Sequence, residues 1–238
     1  MAGVFNNRPA GFVTGLASDG GYAEYMIARE EAIALVPPGL TPAEAAPLLC
    51  AGVTVFNSMR HMDVQPGDLV AVQGIGGLGH LAIQYARKAG YKVVALSSGN
   101  DKEALAKSLG AHYYFSTSDP SYLKSLQDLG GCKLIIATAP HGKAIEPLVE
   151  TLSRNGTLLV VAASDPITVS PITLLSKRAQ VRGWPSGTAK DSEETMEISL
   201  IQGVKPMIET YPLAQAQEAY ERMLNNKARF RVVLLTGH

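Results

Sequence analysis

The sequence predicts an α/β protein built on a doubly wound parallel sheet, and three observations carry that prediction. Apolar runs of strand length alternate with helical patterns from Asp68 to about Pro185. The runs are near-continuous rather than alternating, which suits strands covered on both faces. A glycine-rich turn joins the first run to an amphipathic helix.

Residues 1–20 are rich in Gly, Asn and small polar groups, so a loop is expected there. The stretch GGYAEYMIAREEAIALVPPG (20–39) holds short apolar runs at Tyr22, Tyr25 and Ile27 and from Ile33 to Val36. They predict two short strands, ended by the turn Pro37-Pro38-Gly39. Thr41 before Pro42 and Glu44 is an N-cap arrangement that opens a helix through Ala45 and Leu49. DLVAVQ (68–73) is the first buried strand. GLGHLAIQYARKAG (77–90) sets Leu78, Leu81, Ala82, Tyr85 and Ala89 on one helical face. Arg87 and Lys88 fall in its last turn and Gly90 stops it. KVVALS (92–97) is the second strand, and Asp101 opens a helix through Leu109 that Gly110 closes. KLIIAT (133–138) and TLLVVAA (157–163) are further strands, with a helix at about 141–152 between them. A strand at 181–185, a helix at 191–202, a strand at 205–211, a helix at 213–225 and a strand at 230–235 complete the order.

The 238 residues suffice for one large α/β domain, or for one domain and a smaller lobe. Lys+Arg and Asp+Glu both number 21, and no basic stripe of the kind that binds nucleic acid or anionic membrane is visible. No apolar run approaches the ~20 residues that span a bilayer. The opening MAGVFNNRPAGF lacks the order of a signal peptide. Two cysteines, Cys50 and Cys132, cannot build a disulfide framework, so a cytoplasmic, reducing setting is expected.

VAVQGIGGLGHLAIQYA (70–86) carries Gly74, Gly76 and Gly79 at G-x-G-x-x-G spacing between a strand and a helix. Gly74 permits the sharp turn, Gly76 lets a pyrophosphate approach the backbone, and Gly79 brings helix and sheet close. The helix N-terminus offers N–H groups and partial positive charge to the anion. Gly74, Ile75, Gly76, Gly77 and Leu78 are thus the candidate cradle for a dinucleotide. The bland alternative is a glycine-rich turn that holds nothing. At the end of the second strand a carboxylate would accept from an adenosine ribose and repel a 2′-phosphate. Ser97, Ser98, Gly99 and Lys102 stand there instead, and these favour NADP(H) over NAD(H). The alternative is a solvated loop beside loosely bound NAD(H).

Several segments together resemble one family, the medium-chain, zinc-type alcohol dehydrogenases. They are GGYAEY (20–25), LLCAGVTVF (48–56), QPGDLVAVQGIGGLGHLAIQYA (65–86), AKSLGA (106–111) and RFRVVL (229–234). The serine-rich strand end is similar to the NADP(H)-preferring branch with cinnamyl-alcohol-type and fungal members. The resemblance implies a Rossmann cofactor domain over 46–204 and remnants of a GroES-like, substrate-side β domain at 1–45 and 205–238. It implies hydride transfer between NADP(H) and an alcohol or aldehyde, and a possible homodimer. It makes Cys50 a zinc ligand, Thr54 a residue of the nicotinamide pocket, and Arg231 a partner of the cofactor pyrophosphate.

The family's other zinc ligands, an earlier cysteine and a Gly-His-Glu segment, have no match in this sequence. Catalytic zinc needs three protein ligands and an open position. His61, His80, His112, His141 and His238 stand singly, with no H-x-x-H or C-x-x-C spacing. The resemblance therefore carries the expectation that roughly 100 family residues, about one small domain, precede the matched region. No general acid or base is identifiable. Two further functions stay open: a non-catalytic dinucleotide-binding module, with Cys50 a small buried hydrophobe, and a zinc-free reductase of quinone-oxidoreductase type.

Overall fold

A computed structural model describes residues 14–15 and 18–237, which divide into two compact units. One unit is Ala51–Ser186; the other comprises the described residues of 1–50 and 187–238. The loop expected over 1–20 and the histidine at position 238 lie largely or wholly outside the described residues.

Unit Ala51–Ser186 holds six strands, β1 (Leu69–Gln73), β2 (Lys92–Ser97), β3 (Tyr113–Ser116), β4 (Cys132–Ala137), β5 (Leu152–Val160) and β6 (Gln180–Gly183). All pair in parallel, in the order β3-β2-β1-β4-β5-β6. The chain winds outward through β2 and β3, then restarts beside β1 and winds the other way. This is the doubly wound order, whose ligands bind outside the carboxyl ends of the strands at the switch between β1 and β4. β1 is buried along its whole length and β4 along nearly all of it, which is why both read as unbroken apolar runs. The helix Gly79–Lys88 carries the chain from β1 to β2.

Local differences from the sequence expectation have local causes. The helix expected over 141–152 splits into Gly142–Ile145 and a 3-10 segment Glu146–Thr151, because Pro147 at the start of that segment cannot donate an N–H. β5 begins at Leu152, ahead of the expected 157, and its register against β4 shifts between Cys132 and Leu134. Asn155, with φ +57°, absorbs the irregularity. The helix expected to be capped by Asp101 runs Glu103–Ser108 and has Lys102 at its N-cap, without a side-chain cap. β3 and the helices Tyr122–Asp128 and Pro171–Lys177 were not anticipated.

In the other unit, β7 (Ile208–Pro212) and β8 (Arg231–Leu235) form a parallel pair crossed by the helix Ala216–Leu224. The helix Pro42–Pro47 packs against this pair. It starts from a capping box in which the Thr41 hydroxyl accepts from Glu44 N–H and Glu44 accepts from Thr41 N–H. Thr188 and Asp191 do the same for the helix Ala189–Gln202, and Gly203, at φ +67°, ends it. That helix groups with this unit. The two strands expected within 20–39 do not form; the segment has one 3-10 turn, Glu30–Ala32. A strand needs a ladder partner. Here the Leu35 N–H instead donates to the Glu193 carboxylate at 3.1 Å. Among the described residues no helix is long and apolar enough to cross a membrane.

Candidate dinucleotide-binding site

The three motif glycines of the turn after β1, Gly74, Gly76 and Gly79, are equivalent in spacing and different in the structure. Gly74 has φ +91°, a backbone state that side chains disfavour, and a Cβ there would lie 3.0 Å from both Thr138 Oγ1 and Ala139 Cβ. A Cβ on Gly79 would lie 1.8 Å from the Gly74 carbonyl oxygen. The fold itself thus requires glycine at both positions. Gly76 has no positive φ, and no heavy atom lies within 4 Å of its would-be Cβ. Neither conformation nor packing calls for glycine at 76. The physical reason left is approach of a ligand to the backbone.

Neighbours fix the turn. The Thr138 hydroxyl lies 2.8 Å from the Gln73 carbonyl and 3.1 Å from that of Gly74, as a shared donor. The Gln73 side-chain oxygen accepts from Ala139 N–H at 3.2 Å. His80 is fully buried, and its Nδ1–H donates to the Gly76 carbonyl at 2.9 Å. The helix Gly79–Lys88 has no side-chain cap, unlike the helices begun by Thr41, Ser170 and Thr188. Its first-turn N–H groups suit an anion. Ile75 is buried, and its carbonyl accepts from the Lys102 ammonium at 3.2 Å. The charge of Lys102 is thereby set beside the turn.

Ser97 is buried at the end of β2, Ser98 is exposed, and Gly99 has φ +71°. The rim borders a cavity of about 480 Å³ lined by Gly99, Asn100, Tyr114, Ser116, Ser118 and Ser121 among others. The turn Gly74–Leu78, the rim Ser97–Gly99 and Lys102 all belong to one unit. Thr54 is in that unit too, buried in the helix Val53–Arg60, with its hydroxyl donating to Ser186 Oγ at 3.3 Å. Thr138 and Tyr114 were not found from the sequence, because they reach the site through space rather than through motif spacing, and the role of His80 was missed because a lone helical histidine carries no such signal.

Cys50 and Arg231 lie in the other unit, within electrostatic reach of each other. Burial pushes the Arg231 guanidinium down, and the nearby Cys50 thiol opposes that shift. Cys50 is exposed, which removes the buried-hydrophobe reading; Cys132 is the buried cysteine, its thiol pushed up to about 12 by burial. Among the described residues no three His, Cys, Asp or Glu side chains group closely enough to hold a metal ion. One exposed thiol does not make the three-ligand set of a catalytic zinc. The described residues therefore do not fit a resident zinc.

Residues 77–230 match the family model described as zinc-binding dehydrogenase. An alcohol dehydrogenase of Penicillium expansum is 47% identical over 222 residues, covering 93% of this chain and 65% of the relative. The chain thus spans about two thirds of the length of the curated relatives it matches. A cinnamyl alcohol dehydrogenase of Sorghum bicolor is 32% identical with a TM-score of 0.75, over 84% of this chain and 57% of that one. A Helicobacter pylori structure solved with NADP(H) is 26% identical with a TM-score of 0.72, over the same shares of 84% and 57%. The sheet order, the glycine turn and these likenesses converge: the chain belongs to the zinc-binding, medium-chain alcohol dehydrogenase family.

Proposed function

We propose that this chain binds NADP(H) between the turn Gly74–Leu78 and the rim Ser97–Lys102, and that the bound nicotinamide exchanges hydride with a small alcohol or aldehyde. Gly76 carries this proposal, because of the three motif glycines it alone is explained neither by its conformation nor by packing within the chain. The serines and Lys102, in place of a carboxylate at the end of β2, support the phosphorylated dinucleotide. The activity follows from the names of the relatives, which are alcohol and cinnamyl alcohol dehydrogenases. The roles that the resemblance implies for Thr54 and Arg231, the assignment of 46–204 to the cofactor and of 1–45 and 205–238 to the substrate side, a homodimer and a cytoplasmic setting belong to the same proposal.

A second function is favoured by one observation: the described residues group no metal-ligand set. It is dinucleotide binding without turnover by this chain. NADPH oxidation with a panel of aldehydes, with and without added zinc, separates the two. Turnover supports the oxidoreductase. A folded chain that binds NADPH but holds no stoichiometric zinc and gives no turnover supports the binding module.

A further inference from the structure

β3 is only four residues long, yet it and the turn after it grip the end of β2 at several points. Thr117 N–H donates to the Ser97 carbonyl at 2.8 Å. The Tyr114 hydroxyl donates to the Gly99 carbonyl at 2.6 Å. Ser97 is buried and Ser98 exposed, so Ser98 with the Gly99 backbone makes the outward rim. The Gly99 N–H donates to Ser118 Oγ at 3.3 Å. Both polar backbone groups of this left-handed glycine are thus held by side chains from β3 and its following turn.

We propose that Tyr114, assisted by Ser118, is a specificity-positioning residue that holds the Ser97–Gly99 rim in the shape that receives the extra phosphate of NADP(H). This rests on the function proposed above. Tyr114 acts through the Gly99 carbonyl rather than by touching the dinucleotide. The pyrophosphate cradle at Gly74–Leu78 is fixed separately, by Thr138 and His80. Loss of the Tyr114 hydroxyl is thus selective: it falls on the phosphorylated dinucleotide.

The test is fluorescence titration of the full chain with NADPH and with NADH, alongside thermal melting, for wild type, Tyr114→Phe and Ser118→Ala. Tyr114→Phe is expected to melt cooperatively, to bind NADPH about tenfold more weakly and to change NADH affinity less than about twofold, in keeping with the loss of one part-buried hydrogen bond. Ser118→Ala, at an exposed position, is expected to shift the ratio the same way by about two- to threefold, as one neutral hydrogen bond does. A folded Tyr114→Phe that weakens both dinucleotides equally, or neither, overturns the proposal. If Tyr114→Phe does not fold, an unchanged ratio in Ser118→Ala overturns it. Wild type that prefers NADH instead overturns the choice of cofactor, which distinguishes that failure from this one.

Discussion

Gly76→Ala is expected to leave the thermal midpoint within about 2 °C of wild type and to weaken NADPH binding at least roughly tenfold. The added methyl meets nothing in the folded chain, since no heavy atom lies within 4 Å of its position. It occupies the space into which a pyrophosphate must come to reach the backbone. Gly79→Ala is expected to behave in the opposite way. Its methyl would sit 1.8 Å from the Gly74 carbonyl oxygen and 3.2 Å from Thr138 Oγ1. The first is a backbone atom of the turn itself, so it cannot swing aside as a side chain can. Overpacking of this kind costs about 3 kcal/mol or more. At a shift of 2–4 °C per kcal/mol for a chain of this size, that is a fall of roughly 6–12 °C in the midpoint. Melting curves and titrations of the two variants side by side check the division of labour. Comparable destabilisation by Gly76→Ala would mean that the fold, not a ligand, demands glycine there.

Lys102→Ala is expected to lower NADPH affinity by about 10- to 100-fold, the loss of a charge-assisted hydrogen bond worth about 1.5–3 kcal/mol. NADH affinity should change by less than about threefold, as expected for a contact made only to the phosphorylated dinucleotide. Lys102 stands at the N-cap of the helix Glu103–Ser108, half-buried, with its ammonium 3.2 Å from the Ile75 carbonyl. That bond anchors the side chain across the mouth between turn and rim. A carbonyl neutralises no charge, so the ammonium keeps its full attraction for a phosphate group. Lys102→Arg should retain most of the NADPH preference, and raised salt should weaken NADPH binding to wild type more than to Lys102→Ala. Equal loss for both dinucleotides in Lys102→Ala would place the lysine in support of the turn alone.

The sheet was legible because burial on both faces leaves its mark in the sequence: DLVAVQ, KVVALS and KLIIAT are unbroken apolar runs, and they became β1, β2 and β4. β3 was not legible. Tyr113-Tyr114-Phe115-Ser116 is short, stands at the sheet edge and has exposed or half-buried positions, so it lacks the apolar run of its neighbours. The expected strands within 20–39 failed for the converse reason. Tyr22, Tyr25 and Ile27 have strand-like side chains, but a strand exists only through its ladder, and no sequence pattern supplies a partner. The glycine turn was legible as a motif, yet spacing could not separate Gly76 from Gly79; only the surroundings of each Cβ do. Thr138, His80 and Tyr114 support the site from 64, 4 and 15 positions along the chain. The two long separations carry no local signal. His80, near in sequence, is hidden for another reason: a lone helical histidine gives no hint that its ring will bond a carbonyl one turn back.

A single titration decides whether the turn and rim are a cofactor site at all: purified, cooperatively folded chain against NADPH and against NADH, followed by fluorescence. Saturable binding of NADPH, tighter than that of NADH, is the expected result. A folded chain with no affinity for either dinucleotide would contradict it.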